Sequence, residues 1–119
     1  MIVRPIALPL AWACVILVLT SLPNAPSVGP QGADKALHFA VYFVLGALCV
    51  PLVTQSDRPL RSGLLALVAL LAFAVFDEFH QVVIPGRHGS FADWLADSAG
   101  AAAGMAMALI PSLRRKFSS

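Results

Sequence analysis

Residues 62–84 read SGLLALVALLAFAVFDEFHQVVI, and this stretch decides the fold. It is apolar without interruption from Leu64 to Phe76, and a helix needs about 20 mainly apolar residues to cross a bilayer. Polar side chains then enter the same run at Asp77, Glu78, His80 and Gln81. A charged residue at the centre of a membrane helix costs about 2.5–3.5 kcal/mol on insertion scales. The stretch therefore predicts a membrane helix whose polar end has a specific role.

Three other apolar runs flank this one, at about residues 6–22, 36–53 and 91–110. Together with residues 62–84 they predict four transmembrane helices joined by a Pro/Gly-rich loop and two short polar turns. Pro111 is expected to end the fourth helix, because proline lacks the N–H that a helix needs. The first run could instead be a secretory signal peptide. The segment after it, with Pro23 and Pro26, lacks a clear small-x-small cleavage site and favours a retained helix.

The composition supports a membrane protein. Of the 119 residues, 59% are hydrophobic and only 12% are charged, whereas a soluble domain is about a quarter charged. The mean hydropathy is +0.83. A net charge of +2 argues against a nucleic-acid partner, and Cys14 and Cys49 have no metal or redox spacing. We predict one domain over residues 1–119, an all-α integral membrane four-helix bundle in contact with the lipid bilayer.

The basic residues predict the orientation of the bundle, since cytoplasmic loops carry an excess of Lys and Arg. With both termini in the cytoplasm, six basic residues lie inside, and only Lys35 and Arg87 lie outside. The sequence thus predicts a multi-pass cell-membrane protein with cytoplasmic N and C termini. Five of the six acidic residues and all three histidines then fall on the outer side.

Helical spacing groups these outer polar residues into stripes, because residues three or four apart share a helix face. One stripe holds Asp34, His38 and Tyr42, and a second holds Asp77, His80 and Gln81. The third stripe holds Asp93, Asp97, Gly100 and Gly104, and we call it the glycine seam. Its GxxxG spacing lets helix backbones approach closely. Asp77 lies about 12 Å along the helix from Pro85, and Asp97 about 9 Å from Phe91, so both are expected to face inward.

The loop of residues 85–90 joins the two acidic helices and is expected to hold Arg87 above several carboxylates, which a guanidinium can bridge. Lys35 is the second cation nearby, so two cations face five acids. A divalent metal, a cationic ligand group or a shared proton could fill this deficit. Tyr42 and Trp94 are expected to be interface aromatics.

The ordered motifs carry a family resemblance. They are Asp34-Lys35-x-x-His38-Phe39-x-x-Tyr42-x-x-x-Gly46, Asp77-Glu78-x-x-Gln81, Pro85-Gly86-Arg87, Ser90-x-x-Asp93 and Gly100-x-x-x-Gly104. Over about residues 34–105 the chain resembles the VanZ-like family. Asp97 stands where the family pattern more often has Asn. The resemblance implies a polytopic bacterial cell-envelope protein, and some relatives are linked to teicoplanin-type glycopeptide resistance. It brings no settled biochemical activity, so whether the chain is an enzyme stays open.

Two hypotheses of function follow. In the first, the chain binds or modifies an envelope lipid or a lipid-linked precursor through an outer-leaflet polar pocket. Acid–base chemistry, with or without a divalent cation, would come from His38, Asp77, Glu78 and Asp93. Ligand contacts would come from Asp34, Lys35, Gln81, Arg87, Ser90 and Asp97. In the second, the acids form a buried network that only fixes helix packing. The chain is then a structural or accessory protein, and a homo-oligomer through the glycine seam is possible.

Overall fold

A computed structural model describes residues 5–21, 33–84 and 91–117, with side chains described for residues 5–21, 35–84 and 91–111. Four long helices and one short helix make up these ranges. They are α1 (Ala7–Ser21), α2 (Ala33–Leu48), α3 (Val50–Thr54), α4 (Pro59–Val82) and α5 (Phe91–Phe117). No strand occurs in the described ranges, so the fold is all-α as predicted.

The second predicted helix differs from the observed one at both ends. It begins at Ala33 rather than near residue 36, so Asp34 lies in the first turn of α2. It also breaks at Cys49, where the backbone N–H of Cys49 bonds to the carbonyl of Gly46 at 3.1 Å, a tighter i to i−3 bond. Pro51 then stands in the first turn of α3, where its missing N–H is tolerated. Proline thus divides one predicted span into two helices.

Two prolines act differently from the sequence prediction in α4 and α5. Pro59 opens α4 from its first turn, so the helix starts three residues before the predicted position and ends at Val82. Pro111 lies inside α5, which continues to Phe117, and the prediction that it ends the helix is wrong. A proline removes one backbone hydrogen bond and adds one clash, and neighbouring turns of a long apolar helix can accommodate that.

The four long helices pack in a ring. α1 contacts α2 and α4, and α5 contacts α2 and α4, with the α2–α5 contact the most extensive. Contacts of residues early in α2 with residues early in α5 show that these two helices run parallel. The buried core holds Tyr42 and Leu45 from α2, Leu70 and Ala74 from α4, and Met105 from α5, with others around them.

The glycines of α2 and α5 explain the closeness of that contact. A Cβ atom built on Gly100 or Gly104 would overlap the backbone carbonyl of Phe39 or Phe43, and one on Gly46 would overlap that of Ala101. Two helices therefore touch backbone to backbone along the glycine seam. Because α2 of the same chain fills this face, the seam is occupied without a second copy of the protein.

The outer surface of the bundle is apolar. On α4 alone, Leu64, Leu65, Val68, Phe76, Phe79 and Val82 are all more than half exposed. Two helical stretches, Lys35–Thr54 and Pro59–Val82, are long and apolar enough to cross a membrane, while Ala7–Ser21 is apolar but shorter. Soluble monomers rarely expose apolar patches of this extent. The fold is therefore all-α and compatible with a membrane.

Candidate functional site: a buried polar cluster at one end of the bundle

Polar side chains from all four long helices meet at one end of the ring. They come from the last turns of α1 and α4 and from the first half of α2 and of α5, which the helix directions bring to the same level. We call this group the polar cluster. Its members are Thr20, Ser21, Lys35, His38, Tyr42, Asp77, Glu78, His80, Gln81, Asp93, Trp94, Asp97 and Ser98.

Asp77 is a carboxylate of the polar cluster with both oxygens hydrogen-bonded. Its Oδ2 accepts a hydrogen bond from the Tyr42 hydroxyl at 2.8 Å, and its Oδ1 accepts one from the Thr20 hydroxyl, also at 2.8 Å. The side chain is fully buried. Two neutral hydroxyls on two helices thus fix both oxygens, which holds the carboxylate in one orientation.

A second link joins α2 to α5. His38 Nδ1 lies 2.8 Å from Asp97 Oδ1, and the side chain of Asp97 is also fully buried. One turn nearer the start of both helices, Lys35 forms an ion pair with Asp93. Lys35 and His38 lie on one face of α2, and Asp93 and Asp97 on one face of α5, so the two pairs repeat along the contact.

His80 and Glu78 occupy the edges of the polar cluster. His80 Nε2 lies 2.7 Å from the hydroxyl of Ser21, and its ring stacks on Phe76. It therefore faces α1 and not Asp77, although the two residues share a helix. Glu78 is partly buried and lies within electrostatic range of His38 and Tyr42.

Four members of the polar cluster have polar atoms without a hydrogen-bond partner among the described residues. These buried atoms are Gln81 Nε2, Trp94 Nε1, Asp97 Oδ2 and Ser98 Oγ. Gln81 is 2% exposed and Asp97 0% exposed. Native proteins leave few buried polar atoms unpaired, since each costs about 1–3 kcal/mol.

The structure brings together most of the residues that the sequence nominated. His38, Asp77, Gln81, Asp93 and Asp97 point into the bundle, with Lys35 and Glu78 at the rim. All five inward-pointing residues except Gln81 take part in the contacts described above. Arg87 and Ser90 lie outside the described residues, and so does the side chain of Asp34. Among the side chains that are described, no group of three or more His, Cys, Asp or Glu could hold a metal ion, so the divalent cation stays a prediction.

Six members of the polar cluster were not among the predicted site residues, namely Thr20, Ser21, Tyr42, His80, Trp94 and Ser98. Tyr42 was expected at the membrane interface, but it is 1% exposed and bonds to Asp77. Trp94 is partly buried against the core. Thr20 and Ser21 were not nominated at all, although two hydroxyls in the last turn of an apolar helix were the available signal. Helical spacing alone does not tell which face of α1 meets α4.

The fold and the cluster define an all-α, membrane-compatible bundle with buried polar residues at one end and a largely apolar exterior. A family model described as VanZ/LLP1 matches residues 6–112, and the chain belongs to that family. The suspected resemblance is thereby confirmed. Comparison with curated proteins and with solved structures gave no match.

Proposed function

We propose that this chain is a multi-pass protein of the bacterial cell membrane that binds an envelope lipid or a lipid-linked cell-wall precursor at its polar cluster. The observation that carries the proposal is a distribution of side chains opposite to that of a soluble protein. Four residues that are charged or strongly polar, Asp77, Gln81, Asp93 and Asp97, are at most 5% exposed, while large apolar side chains cover the exterior.

This distribution suits a bilayer and not water. In water the exposed leucines and phenylalanines of α4 would drive association. In lipid they contact acyl chains, and the charged groups must be paired inside the bundle or lie near the headgroups. Each acid of the cluster lies within a few turns of a helix end, so a headgroup is the ligand within reach.

The charge balance of the termini and turns supports an external site. In the predicted topology, six of the eight basic residues lie on the side opposite the polar cluster, and the positive-inside bias assigns that side to the cytoplasm. The polar cluster would then face exported lipids and precursors. Binding of such a molecule would give a link to teicoplanin-type glycopeptide resistance, because these antibiotics act on externally exposed precursors.

Substitution of two acidic residues of the polar cluster tests the proposed function. The double variant Asp77→Asn, Glu78→Gln removes two charges and keeps the side-chain shapes. We expect it to abolish teicoplanin protection in a susceptible Gram-positive host that expresses the chain, with membrane levels of the protein unchanged. The control is Asp57→Asn, an exposed acid at the other end of the bundle. Protection that survives in the double variant would reject a role for these acids.

A second candidate is a structural or accessory protein without a ligand. The contacts of Asp77 favour it, because both oxygens of this carboxylate are already bonded to Tyr42 and Thr20. In that case the Asp77→Asn, Glu78→Gln variant keeps teicoplanin protection. Gly100→Leu or Gly104→Leu abolishes this protection, because the larger side chain separates α2 from α5. The two sets of variants thus distinguish ligand binding from packing.

A further inference from the structure

We propose that the turn before α4 binds the phosphate of an anionic phospholipid, while an acyl chain of the same lipid lies along the exposed apolar face of α4. The site is a pocket at the end of the bundle opposite the polar cluster, and we call it the arginine pocket. Its lining residues are Ser56, Asp57, Arg58, Arg61, Ser62 and Leu65. The inference goes beyond the function proposed above and does not depend on it.

The shape and the hydroxyl groups of the arginine pocket suit a phosphate. The pocket is open and has a volume of about 370 Å³, within the range of about 300–1,000 Å³ that is common for ligand sites. The hydroxyl oxygens of Ser56 and Ser62 lie 2.5 Å apart, and the Ser56 oxygen also accepts the backbone N–H of Arg58 at 3.0 Å. One hydroxyl of the pair donates to the other, so one hydroxyl hydrogen stays available to an outside acceptor.

The charge of the arginine pocket favours an anion. Arg58 and Arg61 contribute two guanidinium groups and Asp57 one carboxylate, which leaves a net charge of +1 in the lining. Neither guanidinium forms an ion pair or a hydrogen bond with another side chain in the part of the chain that the structure describes. The first turn of α4 contains no acidic residue, so the positive end of the helix dipole adds to this charge. Arginine recognises phosphate oxygens through its paired N–H groups.

The exposed apolar face of α4 begins at the arginine pocket. Arg61, Leu65 and Val68 follow one another at intervals of four and three residues, so they share one face of the helix. Leu65 is 58% exposed and also lines the pocket, and Val68 is 54% exposed. A molecule with a phosphate at one end and a long apolar chain at the other matches this order of side chains. A soluble phosphate compound would use only the arginines and the hydroxyls.

Net charge then distinguishes between kinds of lipid. Phosphatidylglycerol and phosphatidylcholine both contain a phosphodiester, but the choline ammonium cancels its negative charge. Basic residues next to a membrane helix are attracted to anionic lipids of the cytoplasmic leaflet, and the positive-inside bias assigns the turn before α4 to that side. The arginine pocket should therefore prefer phosphatidylglycerol.

A lipid-retention experiment on the full chain tests this preference. The purified protein is incorporated into nanodiscs of phosphatidylglycerol and phosphatidylcholine in equal parts and with the same acyl chains. After mild detergent extraction, mass spectrometry gives the ratio of the two retained lipids. We expect Arg58→Gln and Arg61→Gln each to lower the ratio of phosphatidylglycerol to phosphatidylcholine about fivefold, the effect of one basic residue near an anionic lipid. Asp57→Asn should raise the ratio, because it removes a carboxylate that repels the phosphate.

Three controls accompany these variants. Arg4→Gln removes the same charge from the segment before α1 and should keep the ratio of the parent chain. An excess of inorganic phosphate should not displace phosphatidylglycerol, since it cannot replace the contacts of the acyl chain. Thermal melting shows that each variant is folded, which we expect because both arginines are exposed.

Four results would overturn the inference. They are equal retention of the two lipids by the parent chain, arginine variants that are folded and keep the parent ratio, an effect of Arg4→Gln as large as that of Arg61→Gln, and displacement by inorganic phosphate. The third would show that overall charge and not the pocket selects the lipid, and the fourth would show that the ligand is a soluble phosphate compound. Loss of teicoplanin protection in the Asp77→Asn, Glu78→Gln variant would still support the proposed function in each of these cases.

Discussion

At the residue scale, the pair of His38 and Asp97 joins the two most closely packed helices. Asp97 has no exposed surface, and His38 is its hydrogen-bond partner among the described side chains. Removal of one partner from a buried pair leaves the other polar group unsatisfied, whereas removal of both can be almost neutral. The pair therefore predicts a non-additive effect of substitution.

We expect His38→Leu to lower the free energy of unfolding by about 1–3 kcal/mol, because Asp97 then remains buried without its partner. The double variant His38→Leu, Asp97→Leu should recover most of that loss. Thermal melting of the purified protein in detergent, arranged as a double-mutant cycle, measures the coupling. Additive losses from the two substitutions would show that the observed contact does not contribute to stability.

The single residues also show how far sequence reasoning reaches. The inward direction of Asp77 and Asp97 was predictable, because each lies five or six residues from the end of an apolar helix, and so short an acidic side chain does not snorkel to the surface as a long one does. The partners of Asp77 were not predictable, since they depend on the rotation of α1 and α2 about their axes. Tyr42 could equally have faced the headgroup region, and only packing decides between the two positions.

At the scale of helices, the glycine seam determines how closely α5 packs against α2. Gly46 on α2 and Gly100 and Gly104 on α5 each lie where a Cβ atom would overlap a carbonyl of the other helix. This close approach brings the ends of short side chains, such as Asp93 and Asp97, within reach of Lys35 and His38. Glycine at these positions is therefore required for the contacts of Asp93 with Lys35 and of Asp97 with His38.

Gly104→Ala should destabilise the bundle, because the added methyl group overlaps the Phe43 carbonyl and forces α2 away from α5. Overpacking of this kind costs about 1–3 kcal/mol. Gly63→Ala is the matched control in α4, since its Cβ would lie 3.7 Å from Val53 Cγ1, an ordinary contact. Helix propensity then favours alanine by up to about 1 kcal/mol. If Gly104→Ala and Gly63→Ala shift the melting temperature in the same direction, this account of the glycine seam is wrong.

Helix existence was predictable and helix ends were not. Four apolar runs gave four long helices, and the GxxxG spacing indicated a close helix contact. Three of the errors involve prolines, because the effect of a proline depends on its position within a helix. Pro59 and Pro51 stand in first turns, where no N–H is needed, and Pro111 stands inside a helix that continues past it.

At the scale of the whole molecule, the polar cluster and the arginines whose side chains are described lie at opposite ends of the bundle. The polar cluster joins the ends of α1 and α4 to the starts of α2 and α5, so the helix directions fix the level of every member. The basic residues Arg58 and Arg61 lie at the opposite end, next to the start of α4. This separation is a property of the four-helix topology, and it gives an orientation that can be measured.

The orientation predicts which positions a membrane-impermeant thiol reagent reaches in intact cells. In a background with Cys14→Ala and Cys49→Ala, we expect Ser90→Cys to be labelled from outside. Ser56→Cys and Ser119→Cys should be labelled only after the membrane is permeabilised, because the positive-inside bias holds the basic turn and tail in the cytoplasm. The parent background without cysteine controls for non-specific labelling. Labelling of Ser56→Cys in intact cells, with Ser90→Cys protected, would require the reverse orientation and would place the polar cluster at the cytoplasmic face, where exported precursors are not its ligands.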